Sequence, residues 1–485
     1  MTKFQPLSTY EQGLGDGYKL LPLRFTALDD ERYVLTNLVG EHHVVPKPTA
    51  HDFFNYRLNP GTDEYRALKS KHFLIDNDSA VAVDLLALKT RTKFERLSHF
   101  TALHLFVVTL RCEHSCPYCQ VSRQNDDKTA FDMSEETADR ALDLVFRSPS
   151  PSLKIEFQGG EPMLNFPIIQ YVVEGALARN AVAKRNLGFV IATNLAVVTD
   201  EILAFCRKHG IHISTSLDGP SDLHNRNRPR PGGDSYERAI DGIRRVRHML
   251  GRDQVSAVMT TTAASLDRVH DIVDEYVAQD LRGIFLRPLS PYGFAMKTKW
   301  FAAYDQAKWL QFYFDGLDYI IELNRRGIPF IEFYASTILT KMLTPFQPGY
   351  VDLMSPAGIG IGALVYNYDG RVYASDESRM LAEMGDQTFC LGSVNDPYEA
   401  LMLSDKLLDP IEASYAGSAP MCADCAFEPY CGADPVYHHA IQGDFVGHKP
   451  SSDFCKRNMT IFRGLISRME ADRDTRQLFL QWANR

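Results

Sequence analysis

The sequence has no excess of positive charge and no long apolar run. Its 485 residues include 52 Lys and Arg against 61 Asp and Glu, a formal net charge of −9. A basic surface of the kind that binds nucleic acid is therefore disfavoured. No apolar stretch approaches the ~18 residues that a membrane span needs, and no basic segment followed by an apolar run opens the chain. We expect no nucleic-acid partner, no membrane association and a cytoplasmic location.

Cysteine is also scarce, but seven of the nine cysteines fall into two groups. The first group is Cys112, Cys116 and Cys119, and the second is Cys422, Cys425, Cys431 and Cys455. An odd number of cysteines in a long intracellular chain argues against a disulfide framework, and clusters in such chains usually bind metal or take part in catalysis. We interpret the two remaining cysteines, Cys206 and Cys390, as small buried residues.

Short β-like runs alternate with helical patterns over residues 96–330, which is typical of βα units around a parallel sheet. The predicted strands are Leu103–Leu110, Leu153–Phe157, Gly188–Thr193, Ile211–Leu217, Val255–Thr260 and Gly283–Arg287. The predicted helices are one capped by Ser134, then Pro167–Ala178, Asp200–His209, Ser235–Met249 and Leu266–Gln279. Six units predict an α/β fold with a partial (β/α)6 barrel of the TIM-like kind, open on one side.

Three flanking regions differ from this pattern. Residues 1–95 predict a small β-plus-helix module, with strands at Lys19–Thr26, Tyr33–Asn37 and His43–Pro46 and a helix starting near Thr49. Residues 331–460 are dense in turn signals and predict a loop-rich domain held by something other than a large core. Residues 461–485 predict a C-terminal helix.

The first cysteine group lies on one short loop directly after the first predicted strand. Loops at the carboxyl ends of parallel strands are where barrel active sites form. Three cysteines suit a four-iron cluster in which one iron has no protein ligand and can bind a small molecule. A structural zinc site with His114 as fourth ligand is the alternative, although His114 lies awkwardly between two of the cysteines.

This Cys-x3-Cys-x2-Cys loop, with Tyr118 before its last cysteine, resembles the signature of radical S-adenosylmethionine (SAM) enzymes. The segment Gln158-Gly159-Gly160-Glu161-Pro162 resembles the Gly-Gly-Glu-Pro motif of that family. Two glycines let the backbone approach a ligand closely, and Glu161 offers an acceptor for an ammonium group. The other interpretation of these residues is a plain turn.

The resemblance implies further SAM contacts. Ser216, at the end of the fourth predicted strand, would reach the ribose, and Arg228 would bind the methionyl carboxylate with Arg226 as its competitor. Asn194 would contact the ribose from a Thr-Asn-Leu segment in which Leu195 replaces the usual glycine. For each of these polar residues the alternative is a satisfied turn or a surface charge.

The second cysteine group resembles the auxiliary-cluster extension called SPASM, although a structural zinc would satisfy the same four cysteines. A full extension binds two auxiliary clusters. At three positions where the resemblance calls for ligands of the second cluster, this sequence has Ser355, Ser375 and Pro435. We therefore predict two [4Fe–4S] clusters in all, one that binds SAM and one auxiliary.

Asp376 stands where sulfatase-maturing relatives have an Asp that works as a base, and it is our candidate for taking a proton from the substrate. A solvated turn carboxylate beside Glu377 is the other interpretation. A general base needs reach before it needs a tuned pKa.

Over its whole length the chain resembles radical SAM maturases of His-Xaa-Ser-type ribosomal peptide systems. The resemblance implies hydrogen abstraction from an unactivated side-chain carbon of a precursor peptide and a new carbon–carbon bond or ring. Partners would be the peptide and an external electron donor such as flavodoxin or ferredoxin, and residues 1–95 would recognise the peptide or serve as a structural cap. The alternatives are formylglycine-type oxidation of Ser or Cys in a protein, and an iron–sulfur electron carrier without radical chemistry.

Overall fold

The computed structural model describes residues 17–78 and 81–484. The described part of the N-terminal module contains five strands and three helices. They are β1 (Tyr18–Leu20), β2 (Leu23–Ala27), β3 (Arg32–Asn37), β4 (His42–Pro46), α1 (Lys47–Phe54), α2 (Asp63–Ser70), β5 (Leu74–Asp76) and α3 (Ala82–Phe94). The first sixteen residues of the predicted 1–95 module lie outside the described residues.

The three-stranded antiparallel sheet β2-β3-β4 is the centre of this module, and β1 pairs separately with β5. The strand predicted over Lys19–Thr26 is therefore wrong as a single element. It divides at Leu21-Pro22, because proline has no N–H to continue a ladder. A turn with Gly40 at φ +89° joins β3 to β4.

Five parallel strands with flanking helices form the barrel wall, which confirms the predicted fold class. The elements are β6 (Leu103–Thr109), α4 (Lys128–Phe131), α5 (Glu135–Val145), β7 (Ser152–Gly159), α6 (Phe166–Ala183), β8 (Asn186–Thr193), α7 (Asp200–His209), β9 (His212–Ser216), α8 (Ser221–Asn227), α9 (Ser235–Leu250), β10 (Val255–Val258) and α10 (Val269–Ala278). The predicted cap is present, since the Ser134 hydroxyl accepts a hydrogen bond from the Thr137 N–H at 3.1 Å. Alternating β and α units thus place every strand's carboxyl end at one edge of the sheet.

The sixth predicted strand is shorter than expected. Only β11 (Gly283–Ile284) forms, and it pairs with β12 (Ile331–Glu332) in a sheet of its own. Beyond it, the Leu286 N–H donates to the Glu332 carboxylate at 3.0 Å instead of to a neighbouring strand. The helices that follow the barrel strands are α11 (Phe294–Lys297) and α12 (Gln306–Arg325).

The barrel sheet continues into the C-terminal region on the side of β6. Strand β13 (Ala363–Tyr366) pairs parallel with β6, and β14 (Arg371–Tyr373) and β15 (Cys390–Ser393) follow as antiparallel neighbours. The full order is β10-β9-β8-β7-β6-β13-β14-β15. The predicted boundary at 330–331 falls between β11 and β12, and it stays a prediction.

The C-terminal region contains more helix and more core than the turn signals indicated. Its helices are α13 (Phe333–Leu343), α14 (Asp376–Ala382), α15 (Tyr398–Met402), α16 (Asp405–Ala413), α17 (Pro435–Gln442), α18 (Asp453–Ala471) and α19 (Arg473–Ala483). One hydrophobic cluster joins Phe106 and Phe157 of the barrel with Phe462 and Trp482 of this region. The expectation of a region without a large core is therefore wrong, because burial of these aromatic residues supplies one.

The predicted single helix over 461–485 is a pair. Asp472 has extended backbone angles between α18 and α19, and its carboxylate accepts from the backbone N–H groups of Asp474 and Thr475 at 3.3 and 3.0 Å. An Asp in this position ends one helix and caps the next. Among the described residues, no helix is long and apolar enough to cross a membrane.

Candidate functional site: two cysteine loops around the barrel opening

The first cysteine loop leaves the carboxyl end of β6 and is held by Arg111. The Arg111 guanidinium donates to the Asp132 carboxylate at 2.7 Å, to Asp126 at 2.8 Å and to the Leu164 carbonyl at 2.8 Å. Its side chain is 3% exposed, so these three partners fix a buried cation next to Cys112. The loop is thereby tied to the β6–β7 connection and to the segment that follows β7.

The three thiols of this loop suit an iron–sulfur cluster. Burial raises the pKa of Cys119, and the backbone N–H groups of Arg123, Val121 and Ser122 act in the opposite direction at its sulfur. Burial also raises the pKa of Cys116 to about 12, an effect that the nearby Arg228 partly offsets. N–H groups and cations next to sulfur stabilise thiolate ligands. Desolvated thiols of this kind would lose their protons on binding iron.

His114 lies beside Cys112 and Glu113, and the ligand atoms of these three residues are within 4.8 Å of one another. However, both ring nitrogens of His114 already have neighbours. Nδ1 lies 2.9 Å from the Glu113 carboxylate, and Nε2 lies 2.8 Å from the Ser235 hydroxyl. A zinc ion bound by His114 would have to break one of these contacts, so the geometry favours the cluster over zinc.

The Gly-Gly-Glu segment packs against the cysteine loop itself. A Cβ atom on Gly159 would overlap the carbonyl oxygen of Thr109, and one on Gly160 would overlap that of Arg111. The Gly160 N–H donates to Thr109 at 2.9 Å, and the Glu161 N–H donates to Arg111 at 2.8 Å. The two glycines are therefore needed for contact with protein backbone, and their contact with a ligand stays a prediction.

The fully buried Glu161 carboxylate joins β7 to β8. Its Oε1 accepts from the Met163 N–H at 3.0 Å and the Thr193 hydroxyl at 2.7 Å, and its Oε2 accepts from the Asn194 N–H at 2.8 Å. Burial and the charge of Glu113 raise the pKa of Glu161 to about 8. Oε2 has a single donor and is the side on which an ammonium group would bind.

Glu113 is a site residue that the sequence did not reveal, since it occupies a free position of Cys-x3-Cys. Its Oε1 accepts from the Asn194 side-chain amide at 2.7 Å. Its Oε2 is buried and has no hydrogen-bond partner among the described residues. An unpaired buried carboxylate oxygen is costly, and a donor such as the SAM ammonium group would satisfy it. This orphaned acceptor beside Cys112 fits the predicted cofactor.

Asn194 lies on a turn whose shape explains the unusual Leu195. Leu195 has φ +63°, in the left-handed region that favours glycine, and it is 1% exposed. Gly242 of α9 faces it, and a Cβ on Gly242 would come within 2.6 Å of the Leu195 Cβ. Leu195 thus adopts a backbone conformation that favours glycine, and Gly242 leaves room for its side chain.

Arg228 lies in a buried polar cluster with Asp218 and Tyr118. Arg228 Nε lies 3.1 Å from Asp218 Oδ2, the same oxygen accepts from the Tyr118 hydroxyl at 2.7 Å, and the guanidinium lies 5.5 Å from the Tyr118 ring centre. Asp218 occupies the Nε side of the guanidinium, so a ligand carboxylate would bind on the Nη side. Arg226 is exposed on α8 and is not in this cluster.

The polar network continues from Asp218 back to the cysteine loop. The Asp218 N–H donates to His224 Nδ1 at 3.2 Å, and His224 Nε2 lies 3.1 Å from the Ser235 hydroxyl, which also contacts His114. Ser216 ends β9 opposite Val258 of β10, at the same edge. The structure thus brings Glu161, Asn194, Ser216 and Arg228 to the edge of the sheet where the cysteine loop lies.

The second set of thiols lines one cavity of 320 Å³, together with Phe25, Met421, Phe427, Lys449 and Met459. The four cysteines are Cys422, Cys425, Cys431 and Cys455. Burial raises the pKa of Cys422 to about 12 and that of Cys425 to about 11. The Phe427 N–H also donates to the Cys425 sulfur at 3.4 Å. Four convergent sulfurs around a cavity of this size fit a metal cluster.

The three positions that lack ligands for a second auxiliary cluster have structural roles. The Ser375 hydroxyl accepts from the Ser378 N–H at 3.2 Å and caps α14. The Ser355 hydroxyl accepts from the Ala416 N–H at 3.0 Å. Pro435 occupies the first turn of α17, a position that suits proline. These roles support the prediction of one auxiliary site.

Asp376 is the first residue of α14, and its side chain is 20% exposed. Arg379 Nη2 lies 3.5 Å from its Oδ1. Burial raises the pKa of Glu156 on β7, and the charge of Asp376 raises it further. Asp376 therefore faces a strand of the barrel and is held by an arginine, which a freely solvated turn carboxylate would not be.

Comparison with known proteins identifies the fold around this site. Residues 106–274 match the model of the Radical SAM superfamily. The chain contains a radical SAM domain. That domain spans β6 through α10 and includes the first cysteine loop, Glu161, Asn194, Ser216 and Arg228.

Two curated relatives share part of this sequence. The radical SAM cyclopropyl synthase TigE of Paramaledivibacter caminithermalis is 24% identical over 151 residues, 28% of this chain and 31% of TigE. The cysteine-type anaerobic sulfatase-maturating enzyme of Clostridium perfringens is 24% identical over 319 residues, 61% of this chain and 81% of that enzyme. The chain spans less than half the length of the first relatives that it matches.

The solved structure of Streptococcus suis SuiB bound to precursor peptide SuiA has the same fold. It matches with a TM-score of 0.52 and 15% identity, over 90% of this chain and 100% of that chain. The likeness therefore extends beyond the radical SAM domain into the flanking regions.

Proposed function

We propose that the protein is a radical SAM enzyme that modifies a side chain of a ribosomally synthesised precursor peptide. The observation that carries this proposal is the arrangement around the first cysteine loop. The orphaned Glu113 oxygen beside Cys112 suits an ammonium group, and Arg228 beside Cys116 suits a carboxylate. These are the two charged groups of an amino acid, and SAM presents both.

The cofactors define the chemistry that the residues must support. When bound, SAM and its cluster supply a radical that takes a hydrogen atom from an unactivated C–H bond, and an auxiliary cluster supplies an acceptor for the electron that remains. Cys112, Cys116 and Cys119 would hold the first cluster, and Cys422, Cys425, Cys431 and Cys455 the second. Glu161, Asn194 and Ser216 would orient SAM, and the buried Tyr118–Asp218 pair would hold Arg228 in place.

The reaction that we favour forms a carbon–carbon bond or ring in the peptide. The name of TigE, a cyclopropyl synthase, supports such a reaction, and the SuiB structure with its precursor peptide supports a peptide substrate. The product would have lost two hydrogens, one as a hydrogen atom and one as a proton with its electron. Asp376 would accept the proton, because its charge acts on Glu156 of the barrel strand β7 and its side chain remains partly exposed.

Two partner assignments accompany this proposal. The sheet β2-β3-β4 would bind the peptide, with its edge strand β2 lying next to the auxiliary site through Phe25 and Thr26. An external donor such as flavodoxin or ferredoxin would reduce the first cluster. The assignment of residues 1–95 as a peptide-recognition module would fail if their removal from a folded enzyme left peptide affinity unchanged.

The test is anaerobic incubation of the reconstituted protein with SAM, a reductant and, as candidate substrates, any short peptides encoded beside its gene. We expect release of 5′-deoxyadenosine and a peptide lighter by two hydrogens. The variant Asp376→Asn should still release 5′-deoxyadenosine but yield at least tenfold less product, since its amide cannot take the proton. An iron–sulfur electron carrier would release no 5′-deoxyadenosine.

A second candidate is formylglycine-type oxidation of Ser or Cys in a protein substrate. The match to the cysteine-type sulfatase-maturating enzyme, which covers 81% of that enzyme, favours it. Oxidation of Cys to an aldehyde loses the sulfur, whereas a crosslink keeps it. Oxidation of Ser also removes two hydrogens, but the resulting aldehyde reacts with a hydrazide probe and a carbon–carbon crosslink does not.

A further inference from the structure

A small cavity lies between the segment that follows β11 and the C-terminal region. Its volume is 40 Å³, room for about three water molecules or one small polar head group. The polar groups around it are three carboxylates, two guanidinium groups and several phenols. These side chains belong to Asp352, Glu377, Asp434, Arg287, Arg457, Tyr292, Tyr334, Tyr350 and Tyr437.

The carboxylates of this cavity are incompletely neutralised. Arg287 Nη2 lies 3.7 Å from the Glu377 carboxylate, at the long end for an ion pair. Arg457 packs its guanidinium on the rings of Trp309, Tyr437 and Phe454, at 5.3 to 5.9 Å from their centres. Two arginines thus face three carboxylates, and the guanidinium group of one of them, Arg457, packs against aromatic rings.

The pKa values of two of these acids reflect this imbalance. Burial, Asp352 and Asp376 raise the pKa of Glu377 to about 8. Burial and Asp352 also raise the pKa of Asp434 to about 7, even though Asp434 accepts from the N–H groups of Val436 and Tyr437. An additional positive charge in the cavity would stabilise both carboxylates.

Tyr292 provides an independent indication of a ligand. Its side chain is 2% exposed, it lines the cavity, and its hydroxyl has no hydrogen-bond partner among the described residues. Burial raises the pKa of this phenol, and the charges of Asp434, Glu377 and Asp352 raise it further. A buried unpaired hydroxyl is costly unless a bound group pairs with it.

Residues that line the cavity are close in sequence to both cysteine groups or in contact with them through short segments. Two residues after Tyr292, the Phe294 N–H donates to the Cys119 carbonyl at 2.7 Å. Asp434 follows Cys431 by three residues, and Glu377 follows the candidate base Asp376. A peptide residue held here would lie close to the residue that is modified.

The spacing of the carboxylates favours an organic cation over a metal ion. Within residues 17–78 and 81–484, one group of three acidic, His or Cys side chains has all its ligand atoms within 4.8 Å of one another. That group is Cys112, Glu113 and His114. The carboxylate oxygens of Asp352, Glu377 and Asp434 are therefore not all within 4.8 Å of one another, as three ligands of one bare ion would be. An ammonium or guanidinium head can reach several acceptors at once through its separate N–H groups.

We propose that this cavity binds the cationic head of a Lys or Arg side chain in the peptide substrate, next to the residue that is modified. Glu377 and Asp434 would neutralise the cation, and the Tyr292 oxygen would accept one of its N–H groups. The inference rests on the proposed function, because it names a specificity determinant for the same reaction.

The probes for the test are N-acetyl-lysine methylamide and N-acetyl-norleucine methylamide, which differ in the charged group. Saturation-transfer NMR with the anaerobic holoenzyme and SAM should give a dissociation constant at least about tenfold lower for the lysine amide. Glu377→Gln and Asp434→Asn should abolish this preference, and Tyr292→Phe, which keeps the ring, should reduce it about threefold. Asp409→Asn, which removes an exposed charge of α16, should preserve it.

Two results would overturn the inference while leaving the proposed function intact. One is 5′-deoxyadenosine release by a holoenzyme that binds both amides equally. The other is binding of Ca²⁺ or Mg²⁺ that Glu377→Gln abolishes, without any preference for the lysine amide. Absence of 5′-deoxyadenosine release would instead contradict the proposed function, and the lysine preference would still report on the cavity.

Discussion

The side-chain amide of Asn194 donates to the Glu113 carboxylate at 2.7 Å, and this bond joins the turn after β8 to the first cysteine loop. It fixes one oxygen of Glu113 and leaves the other buried without a partner. Two motifs that are eighty-one residues apart in the sequence thereby form one site.

Replacement of Glu113 should weaken SAM binding. In Glu113→Gln the amide retains the shape but loses the charge that would attract the ammonium group. A hydrogen bond to a charged group contributes about 1.5–3 kcal/mol, so we expect about ten- to a hundredfold weaker binding. Equilibrium binding of SAM to the anaerobic, cluster-loaded protein measures this loss of affinity. Glu201→Gln, an exposed acid on α7, is the matched control, and equal affinities for both variants would contradict the assignment.

Leu195 and Gly242 should behave as a coupled pair. Gly242→Ala alone should destabilise the protein, because its Cβ would come within 2.6 Å of the Leu195 Cβ. In a Leu195→Gly background the same change should be neutral or stabilising by up to ~1 kcal/mol, since alanine favours the helix. Thermal unfolding of the four proteins measures the coupling, and additive effects would refute the contact.

Leu195→Gly itself should still be destabilising. Relief of the left-handed backbone at φ +63° gains about 1–2 kcal/mol. Loss of a fully buried leucine side chain costs at least as much as the about 2–5 kcal/mol of a Leu→Ala substitution. The lost side-chain packing outweighs the relieved backbone strain, so the glycine that is usual at this position of the motif would not stabilise this protein.

Glu377 should make stability depend on pH. Its pKa is raised from an ordinary value near 4.5 to about 8 in the folded protein by burial, Asp352 and Asp376. The folded state therefore binds the Glu377 proton more tightly than the unfolded state does. The stability that this proton contributes is lost as the pH rises from about 4.5 to about 8. We expect the unfolding temperature of the wild type to fall more than that of Glu377→Gln between pH 5.5 and 8. Parallel curves for the two proteins would contradict the raised pKa.

The barrel was predictable from sequence because the strands β6 to β10 coincide with local apolar runs. The two cysteine groups are recognisable from short motifs, and their assignment as cluster ligands stays a prediction. The positions of Glu113 and Asp218 are not predictable from sequence, because their contacts with Asn194 and Arg228 arise only in the fold. The continuation of the sheet through β13 was missed for the same reason, since its partner β6 lies some 260 residues earlier in the chain.

The iron content should distinguish one auxiliary site from two. Two four-iron clusters predict about eight iron atoms per chain after anaerobic reconstitution. Replacement of Cys422, Cys425, Cys431 and Cys455 by alanine should reduce this to about four. A wild-type value near twelve would show that Ser355, Ser375 and Pro435 do not mark a lost site.

The most direct test of the account is 5′-deoxyadenosine release by the variant Cys112→Ala, Cys116→Ala, Cys119→Ala. The reconstituted wild type should release 5′-deoxyadenosine from SAM under reducing, anaerobic conditions. The triple variant should release none while it keeps the iron of the second cysteine site. Continued release by a triple variant that is otherwise folded would contradict the assignment of this loop as the place where SAM binds.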